Sequence, residues 1–509
     1  MWGFEIEPGG RDDCALFRGT LMMKSDRMPL LLAAILVVTL GYAAITGRLT
    51  PHHVADTPSY LNYPLDSLHD ALLSPRTPAY PIFLGVMKAT LGLAVVPLIQ
   101  WIISALAAWA FAVEMRRYGS TVKVAWAIGF AIALSCTALD HQSTLATDAI
   151  AASVGIWVVT MLLRWHRTER GFKTAIAIIG LSFLAIMIRP AYLALIPFLG
   201  IAGTLIMRMS GGTIGRGLTT SLTPVLGICL CVIGWMGLRG AVVDDFAILP
   251  FGHQNLAGVT FQLVSDEELR AVSPSSSELI EAILAARDDA KRRGFDLADD
   301  GGQVGMTSAT MTIEARWNDL IYQAIAPAAN QQYPDDAVRA HREIAKVNKA
   351  IVAKYPLRYA RWIALATRRA IWGTVANWLM NPFFLAATLI ALGIALERSI
   401  RSTPESVNMR HVNSTTGPNE TPSSGDAAGK AENNAANVGA NALVGIESRA
   451  FTDNPIGWDS RVLFVVAMLY AICMIGFVIL TTPPLGRFAD AGAILIPAWI
   501  AQRAIKWCC

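Results

Sequence analysis

Apolar runs long enough to cross a lipid bilayer constrain this chain more than any other feature. A membrane-spanning helix needs about 20 mostly apolar residues, and such runs recur from residue 28 almost to the end of the sequence. Charged residues make up only 16% of the 509 positions, against about 25% in an average soluble protein. The sequence therefore predicts an all-α polytopic membrane protein. Ten spans are expected, near residues 28–46, 95–115, 123–139, 149–163, 173–189, 191–207, 218–237, 381–397, 462–480 and 489–505.

The positions of lysine and arginine predict how the chain is oriented. Short loops rich in these residues stay in the cytoplasm, and one alternate set of loops holds most of them. Loop 140–148 has none, and loop 481–488 has only Arg487. We therefore expect both termini in the cytoplasm of a bacterium, with the multi-pass chain in its inner membrane. Because topology explains the basic residues, the net charge of +4 does not indicate a nucleic-acid partner.

Composition and periodicity divide the chain into six parts. Residues 1–27 are expected to be a cytoplasmic tail, with a natural start at Met22, Met23 or Met28. The remaining parts are a membrane core at 28–237 with its first outward loop at 47–94, an outward-facing helical domain at 238–361, an interfacial helix and eighth span at 362–398, a disordered cytoplasmic insert at 399–460, and the last two spans and tail at 461–509.

Several local expectations follow from the same patterns. Segment 79–94 is apolar, short and led by proline, so it is expected to lie along the outer membrane surface. Within the outward domain, residues 277–286 and 337–354 have helical spacing, and residues 299–302 read as a turn. Residues 355–362 carry aromatic and arginine side chains suited to the head-group depth of a membrane.

The first outward loop carries the residues most suggestive of chemistry. Asp56 is followed one helical turn later by Tyr60, and Arg76 and Tyr80 lie in a proline-rich stretch just beyond. Prolines fix the backbone, so this loop is expected to be rigid. Ionisable groups at a membrane boundary are costly and usually functional. Asp56 could instead only cap a local turn.

Three more charged positions fall at the same membrane face. Asp148 opens the fourth span, Arg189 precedes a proline after the fifth, and Arg487 precedes the last span. Two carboxylates and several arginines at one interface suit transfer of a group from a lipid phosphate, since a carboxylate can accept a proton and arginines can hold a leaving phosphate. As simpler alternatives, Asp148 could cap its helix and Arg189 could satisfy backbone carbonyls.

The order of these residues resembles the membrane glycosyltransferases of the GT-C superfold, a group that includes protein mannosyltransferases and the bacterial aminoarabinose transferases acting on lipid A. The resemblance spans most of 28–505, outside the insert at 402–457. Two positions depart from the usual pattern, because Thr57 follows Asp56 where many members have a second acid, and Phe488 stands where tyrosine is more usual. The matching elements are Asp56…Tyr60, Arg76-Thr-Pro-Ala-Tyr-Pro81, Asp148, Arg189-Pro190 and Arg487-Phe488.

The resemblance implies a function and assigns roles to residues. Asp56 would be the catalytic base and Asp148 the second catalytic acid. The donor would be a sugar on polyprenyl phosphate, with a lipid, glycan or protein as acceptor and membrane lipids as surroundings. No metal ligand set is assigned, although His52 and His53 beside Asp56 offer a place for a divalent cation. The expected substrate-binding residues are Tyr60, Arg76, Tyr80, Arg189 and Arg487.

Three other functions fit parts of the pattern. A transporter or lipid flippase would place polar groups near the bilayer midplane and break its helices there, whereas here the polar clusters lie at one face. A glycan polymerase or ligase would also use outward loops and arginines, but on a diphosphate-linked oligosaccharide. A non-catalytic scaffold would not need a rigid acidic loop.

Overall fold

The computed structural model describes residues 27–168, 171–297, 309–334, 336–401, 458–483 and 486–508. These residues form helices and turns and contain no β-strand; their single extended pairing is a bridge between His52 and Thr144. The prediction of an all-helical chain is confirmed for this part of the sequence. The expected turn at 299–302, most of the insert at 399–460 and nearly all of the tail at 1–27 lie outside the described residues.

The first half of the chain forms eleven helices of very different lengths. They are α1 (Met28–Ile45), α2 (Thr57–Leu61), α3 (Leu68–Leu73), α4 (Ala79–Thr90), α5 (Val96–Arg117), α6 (Val122–Ala133), α7 (Cys136–His141), α8 (Asp148–Arg167), α9 (Phe172–Ile188), α10 (Leu195–Met209) and α11 (Ile214–Val243).

The described residues of the second half form a further eleven helices. They are α12 (Gly252–Thr260), α13 (Asp266–Val272), α14 (Ser277–Arg292), α15 (Ala309–Leu320), α16 (Ala326–Gln332), α17 (Ala337–Lys354), α18 (Pro356–Met380), α19 (Pro382–Arg401), α20 (Trp458–Ile479), α21 (Gly486–Ala493) and α22 (Ile496–Cys508). The helices predicted at 277–286 and 337–354 are therefore confirmed as α14 and α17.

Six helices of the described chain are long and apolar enough to cross a membrane, which is fewer than the ten spans expected. A seventh candidate is the pair α18 and α19, which is bent by 74° at Asn381. The six candidate spans are Met28–Ile45, Leu93–Arg117, Asp148–Arg167, Pro190–Met209, Ile214–Val243 and Asp459–Ile479. These apolar helices make the chain compatible with a helical membrane protein.

Local breaks explain why two of the expected spans are interrupted. The run at 123–139 stops at Ala133, because Ser135 caps a new short helix by accepting a hydrogen bond from the backbone N–H of Ala138. The run at 489–505 is divided into α21 and α22, and Pro497 lies in the first turn of α22. Proline lacks a backbone N–H and fits the first turn of a helix far better than its interior.

Helix α8 lies at the centre of the apolar core. Of its most apolar window, 83% is buried, against 17% for α11. Small residues let neighbouring helices approach closely, and a methyl group at Gly155 of α8 would collide with Tyr192 and Tyr470. Helix α11 instead exposes leucines every fourth residue, at 218, 222, 226 and 230. Such an apolar outer face suits contact with lipid.

Backbone pairing joins the first outward loop to the turn before α8. The N–H of His52 donates to the carbonyl of Ser143 at 2.8 Å, and the N–H of Leu145 donates to the carbonyl of His52 at 2.9 Å. The buried Thr57 hydroxyl donates to the carbonyl of Leu145 at 3.0 Å and accepts from the N–H of Val54 at 2.9 Å. This pairing holds the loop that carries Asp56 against the start of α8.

A buried glutamine strengthens the same junction. The side-chain amide of Gln100 in α5 donates to the carbonyls of Gln142 and Thr144, at 2.8 Å and 3.0 Å. Buried backbone groups must be paired, because an unpaired one costs about 1–3 kcal/mol. Gln100 therefore fixes the turn before α8 to the wall of the apolar core.

The helices between residues 252 and 354 bury a core of their own. Leu279 and Ile283 of α14 pack with Ile344 and Val347 of α17, and with Ile325 from the π-helical segment between α15 and α16. Helix α12 contributes Ala257 to this core. The segment predicted to face outward is thus an organised helical unit that can supply side chains to a site.

We predict that Thr57→Val lowers the free energy of unfolding by about 1–3 kcal/mol, because valine keeps the shape of threonine but leaves the Leu145 carbonyl and the Val54 N–H unpaired. The measurement is thermal unfolding of the detergent-solubilised protein, followed by tryptophan fluorescence. Thr57→Ser keeps the hydroxyl and serves as the control. Equal melting temperatures for wild type and Thr57→Val would contradict this role of the hydroxyl.

Candidate active site

A cavity of about 530 Å³ lies where the first outward loop, the ends of the apolar helices and the outward helices meet. This volume falls within the range of small-molecule sites, about 300–1,000 Å³. Its walls include five of the seven site residues expected from the sequence: Asp56, Tyr60, Arg76, Asp148 and Arg189.

The first loop supplies one carboxylate–arginine pair. Arg76 Nη2 donates to Asp56 Oδ1 at 2.7 Å, and Arg76 Nε donates to the Ser59 hydroxyl at 2.8 Å. The guanidinium also lies over the ring of Tyr60, 4.7 Å from its centroid. Because Nε, Nη2 and the face of its guanidinium are engaged, Arg76 holds the Asp56 carboxylate at the cavity wall in a defined orientation.

The start of α8 supplies the second pair. Arg189 Nη1 donates to Asp148 Oδ1, and the same nitrogen lies 3.4 Å from the Thr147 hydroxyl. The side chain of Asp148 is 5% exposed and that of Arg189 is 18% exposed. Charges this deeply buried are stable only when they are paired. Each carboxylate therefore keeps its neighbouring arginine in place.

The structure bears on the capping roles that the sequence left open. Asp56 precedes α2 but makes no side-chain capping hydrogen bond to it. Asp148 is the first residue of α8, where a carboxylate is favoured by the helix dipole, and it also pairs with Arg189. The guanidinium of Arg189 contacts the Thr147 and Asp148 side chains.

Tyr60 shares the cavity wall with both pairs and is close enough for all four charges to act on its phenol. The pKa of its phenol is raised above the ordinary value of 10, mainly by burial. Arg76 and Arg189 oppose that rise, and the carboxylates of Asp56 and Asp148 add to it. Tyr60 therefore remains a neutral hydrogen-bonding group. Tyr80 packs edge-on behind it, with ring centroids 5.2 Å apart, and is fully buried. Tyr80 can reach a ligand only through Tyr60, so the expected direct contact is replaced by a supporting one.

Two expectations from the sequence receive no support from the geometry. Arg487 belongs to α21, but its side chain lies outside the described part of the structure. No group of three or more His, Cys, Asp or Glu side chains in the described ranges is placed to hold a metal ion. The backbone of His52 is used for pairing with the turn before α8, and a divalent cation in the first loop stays a prediction.

The outward helices complete the cavity with residues that the sequence did not single out. Trp317 and Asn318 come from α15, Tyr322 from the π-helical segment Ile321–Ile325 that follows it, and His341 from α17. The sequence does allow the polar, glycine-bounded segment 251–258 to line an acceptor site, with a plain turn as the alternative; its His253 and Asn255 lie in α12 and line the cavity. His341 and its neighbours are remote in sequence and sit within ordinary amphipathic patterns, so no sequence signal distinguished them.

Two histidines form a close pair at this end of the cavity. The rings of His253 and His341 are 4.6 Å apart between centroids, and His341 is 5% exposed. Burial, together with the nearby His253, Arg239 and Arg342, lowers the pKa of His341 to about 4, and Asp245 acts in the opposite sense. Burial also lowers the pKa of His253. Both imidazoles are therefore neutral at physiological pH.

The cavity wall carries two chemically different sets of groups. In one set, the carboxylates Asp56 and Asp148 can accept protons, and the guanidinium groups Arg76 and Arg189 can bind a phosphate. In the other, which we call the outward end of the cavity after the predicted outward domain that supplies it, neutral imidazole, amide and aromatic groups can bind an uncharged polar ligand. A site of this kind can hold an anionic lipid head group and a second substrate together.

We predict that breaking the Asp148–Arg189 pair costs far more than breaking an exposed one. Asp148→Asn or Arg189→Met alone should lower the free energy of unfolding by about 3–5 kcal/mol, and the double variant should lose less than the two singles combined. The exposed pair Arg270–Glu281 is the control, worth about 1 kcal/mol or less. The free energies are measured by thermal unfolding of the two single variants and the double variant of each pair, six proteins in all, beside the wild type. Additive losses at Asp148 and Arg189 would contradict the pairing.

We also predict an acid-sensitive component of stability from His341. Between pH 6.5 and 4 the unfolded chain protonates this side chain while the folded chain does not, so the free energy of unfolding falls as the pH falls, by up to about 3 kcal/mol. Comparing the melting temperatures of wild type and His341→Gln from pH 7.5 to 5 isolates this term. The wild type should lose more stability than the variant, and parallel curves would contradict the prediction.

The chain matches no known protein-family model, and no curated protein is significantly similar to it.

Proposed function

We propose that this protein is an inverting glycosyltransferase that moves a sugar from a polyprenyl-phosphate carrier to an acceptor hydroxyl. The observation that supports this most is the cavity whose wall holds both the Asp56–Arg76 and the Asp148–Arg189 pair, together with Tyr60. A proton acceptor and phosphate-binding cations are the groups that such a transfer needs, and the apolar helices beside them offer a place for a lipid tail.

In the proposed reaction Asp56 is the general base. Arg76 donates to Oδ1 of Asp56, so Oδ2 can take the proton of the acceptor hydroxyl. The acceptor oxygen then forms a bond to the anomeric carbon while the bond from that carbon to the phosphate oxygen breaks. The proton ends on Asp56 and the electron pair on the departing polyprenyl phosphate, so the configuration at the anomeric carbon is inverted.

The arginines have separate parts in this scheme. Arg76 orients Asp56, since its guanidinium is held by Ser59 and stacked on Tyr60. Arg189 is the described cation that can meet the negative charge growing on the phosphate, a contact that strengthens in the transition state. Arg487 is proposed to act beside it. Asp148 keeps Arg189 in position and can also orient the acceptor.

The proposed reaction takes place at the outer face of a bacterial inner membrane. In that topology both termini are cytoplasmic and the chain crosses ten times, which requires the shorter apolar helices α6 and α9 and the broken segments near the C-terminus to cross as well. The cavity would then open where the outward helices meet the bilayer, so that the donor's lipid tail stays among the apolar helices while its sugar enters the cavity.

A lipid flippase is the main alternative. It would use the same arginines to hold a lipid phosphate but would need no general base. The two functions therefore differ in their dependence on Asp56, and not in their dependence on Arg189. A glycan polymerase or ligase would differ in its donor, a diphosphate-linked oligosaccharide.

We predict that Asp56→Asn lowers sugar transfer by at least about 100-fold, the contribution typical of a general base. The measurement is transfer from radiolabelled polyprenyl-phosphate sugars into lipid and glycan fractions, using membranes that contain equal amounts of inserted protein. Asp66→Asn is the matched control, because Asp66 is an exposed carboxylate of the same loop that does not line the cavity. Its activity should equal that of the wild type.

Unchanged transfer by Asp56→Asn would remove Asp56 from the mechanism. Absence of transfer from every donor, with binding of the donor retained, would favour the flippase. Repeating the assay with EDTA separates a reaction carried by arginines alone from one that uses a divalent cation.

A further inference from the structure

The outward end of the cavity is built differently from the part that holds the two charge pairs. Its walls there are His253, Asn255, Trp317, Tyr322 and His341, none of which carries a charge when the imidazoles are neutral. The charged groups of the cavity wall come from the first loop and from the two ends of helices near the membrane. The cavity thus presents charge to one part of a ligand and uncharged polar groups to another.

The histidine pair is held in a fixed place. Asn348 of α17 donates to the carbonyl of His253 at 2.8 Å and accepts from the Thr260 hydroxyl at 2.7 Å, which ties α12 to α17 next to the two rings. His341 is nine-tenths buried, yet its Nδ1 has no hydrogen-bond partner among the described residues. His341 also lines the cavity, and a buried polar atom without a partner indicates a missing partner, which a bound ligand can supply.

The opposite wall of this end is aromatic. The rings of Phe251 and Tyr322 lie nearly parallel, 26° apart in orientation and with centroids separated by 6.3 Å. Trp317 is fixed by a hydrogen bond from its indole N–H to the carbonyl of Asn255 at 2.9 Å. Trp317 can approach the backbone of α12 this closely because Gly258 has no side chain. A Cβ atom at that position would lie 2.7 Å from the Trp317 ring. The aromatic wall is therefore fixed by the surrounding packing.

These groups select a particular ligand chemistry. A neutral imidazole offers one donor and one acceptor, as a hydroxyl does, and the nearby amides of Asn255 and Asn318 offer both as well. Aromatic faces carry partial negative charge and attract the positive C–H edges of a sugar ring. None of the cavity-lining residues named here is itself a cation, so a hydroxyl is a better match for them than a phosphate or carboxylate.

We propose that the His253–His341 pair and the aromatic wall beside it bind an uncharged sugar unit of the acceptor. Calling this sugar the acceptor rests on the proposed function, since inversion requires the attacking hydroxyl to approach opposite the leaving phosphate. The binding of a neutral sugar at this position does not rest on it. His253 and His341 are binding residues in this proposal and do not transfer protons.

The test is saturation-transfer NMR on the full chain in nanodiscs. The probes are methyl glycosides of neutral hexoses and pentoses, with the matching methyl glucuronide as a charged comparison. With the wild type, the saturation-transfer signal of at least one neutral glycoside should be stronger than that of the glucuronide. His341→Phe keeps an aromatic ring but removes both nitrogens, and it should weaken that signal at least fivefold. His253→Phe, at the less buried of the two histidines, should weaken it by as much. Thermal unfolding establishes that each variant is folded.

Asp56→Asn separates this proposal from the proposed function. This variant should bind the neutral glycoside as wild type does even though transfer is lost. Equal signals from wild type and both folded histidine variants, a stronger signal from the glucuronide, or no signal from any neutral glycoside would overturn the sugar site while leaving the role of Asp56 intact. Glycoside binding that depends on His341, in a protein without transferase activity, would support the site and count against the proposed function.

Discussion

The pairing of buried charges at the boundary of an apolar core is the constraint on which the rest of the site depends. Asp148 is almost fully buried at the first turn of α8, the most enclosed of the candidate spans. Its charge can remain there because Arg189 neutralises it. The pair in turn requires the end of α9 to meet the start of α8. The first loop must then close over both, and Gln100 and Thr57 supply the hydrogen bonds that hold it there.

This rigidity has a functional consequence. A general base and a phosphate-binding cation act best when they are already oriented before the substrate arrives, because no reorganisation is then needed during the reaction. Asp56 meets that requirement through Arg76, and Arg189 meets it through Asp148. The outward helices add a neutral wall with its own fixed hydrogen bonds. The two halves of the cavity can therefore recognise chemically different substrates without large movements.

The sequence predicted the charged half of the cavity because its signals are local. Asp56, Arg76, Asp148 and Arg189 are conspicuous as charges beside apolar runs, and topology places them at one face. Of the neutral half, the sequence offered only His253 and Asn255 as possible acceptor-site residues. His341 was missed because it lies in an ordinary amphipathic helix, and its partnership with His253 depends on the packing of α12 on α17. Six helices of the described residues have the length and composition of a span, against the ten spans expected. Part of the difference is local, because hydropathy alone does not register the cap at Ser135 or the break before Pro497.

The most direct test of the account is a structure of the chain in nanodiscs with a non-hydrolysable phosphonate analogue of a polyprenyl-phosphate sugar. The account predicts that the phosphonate lies within hydrogen-bond distance of Arg189, that the sugar occupies the cavity beside Asp56 and Tyr60, and that the lipid tail runs among the apolar helices. A head group bound near the middle of the bilayer, or a cavity that stays empty while the lipid binds elsewhere, would contradict it.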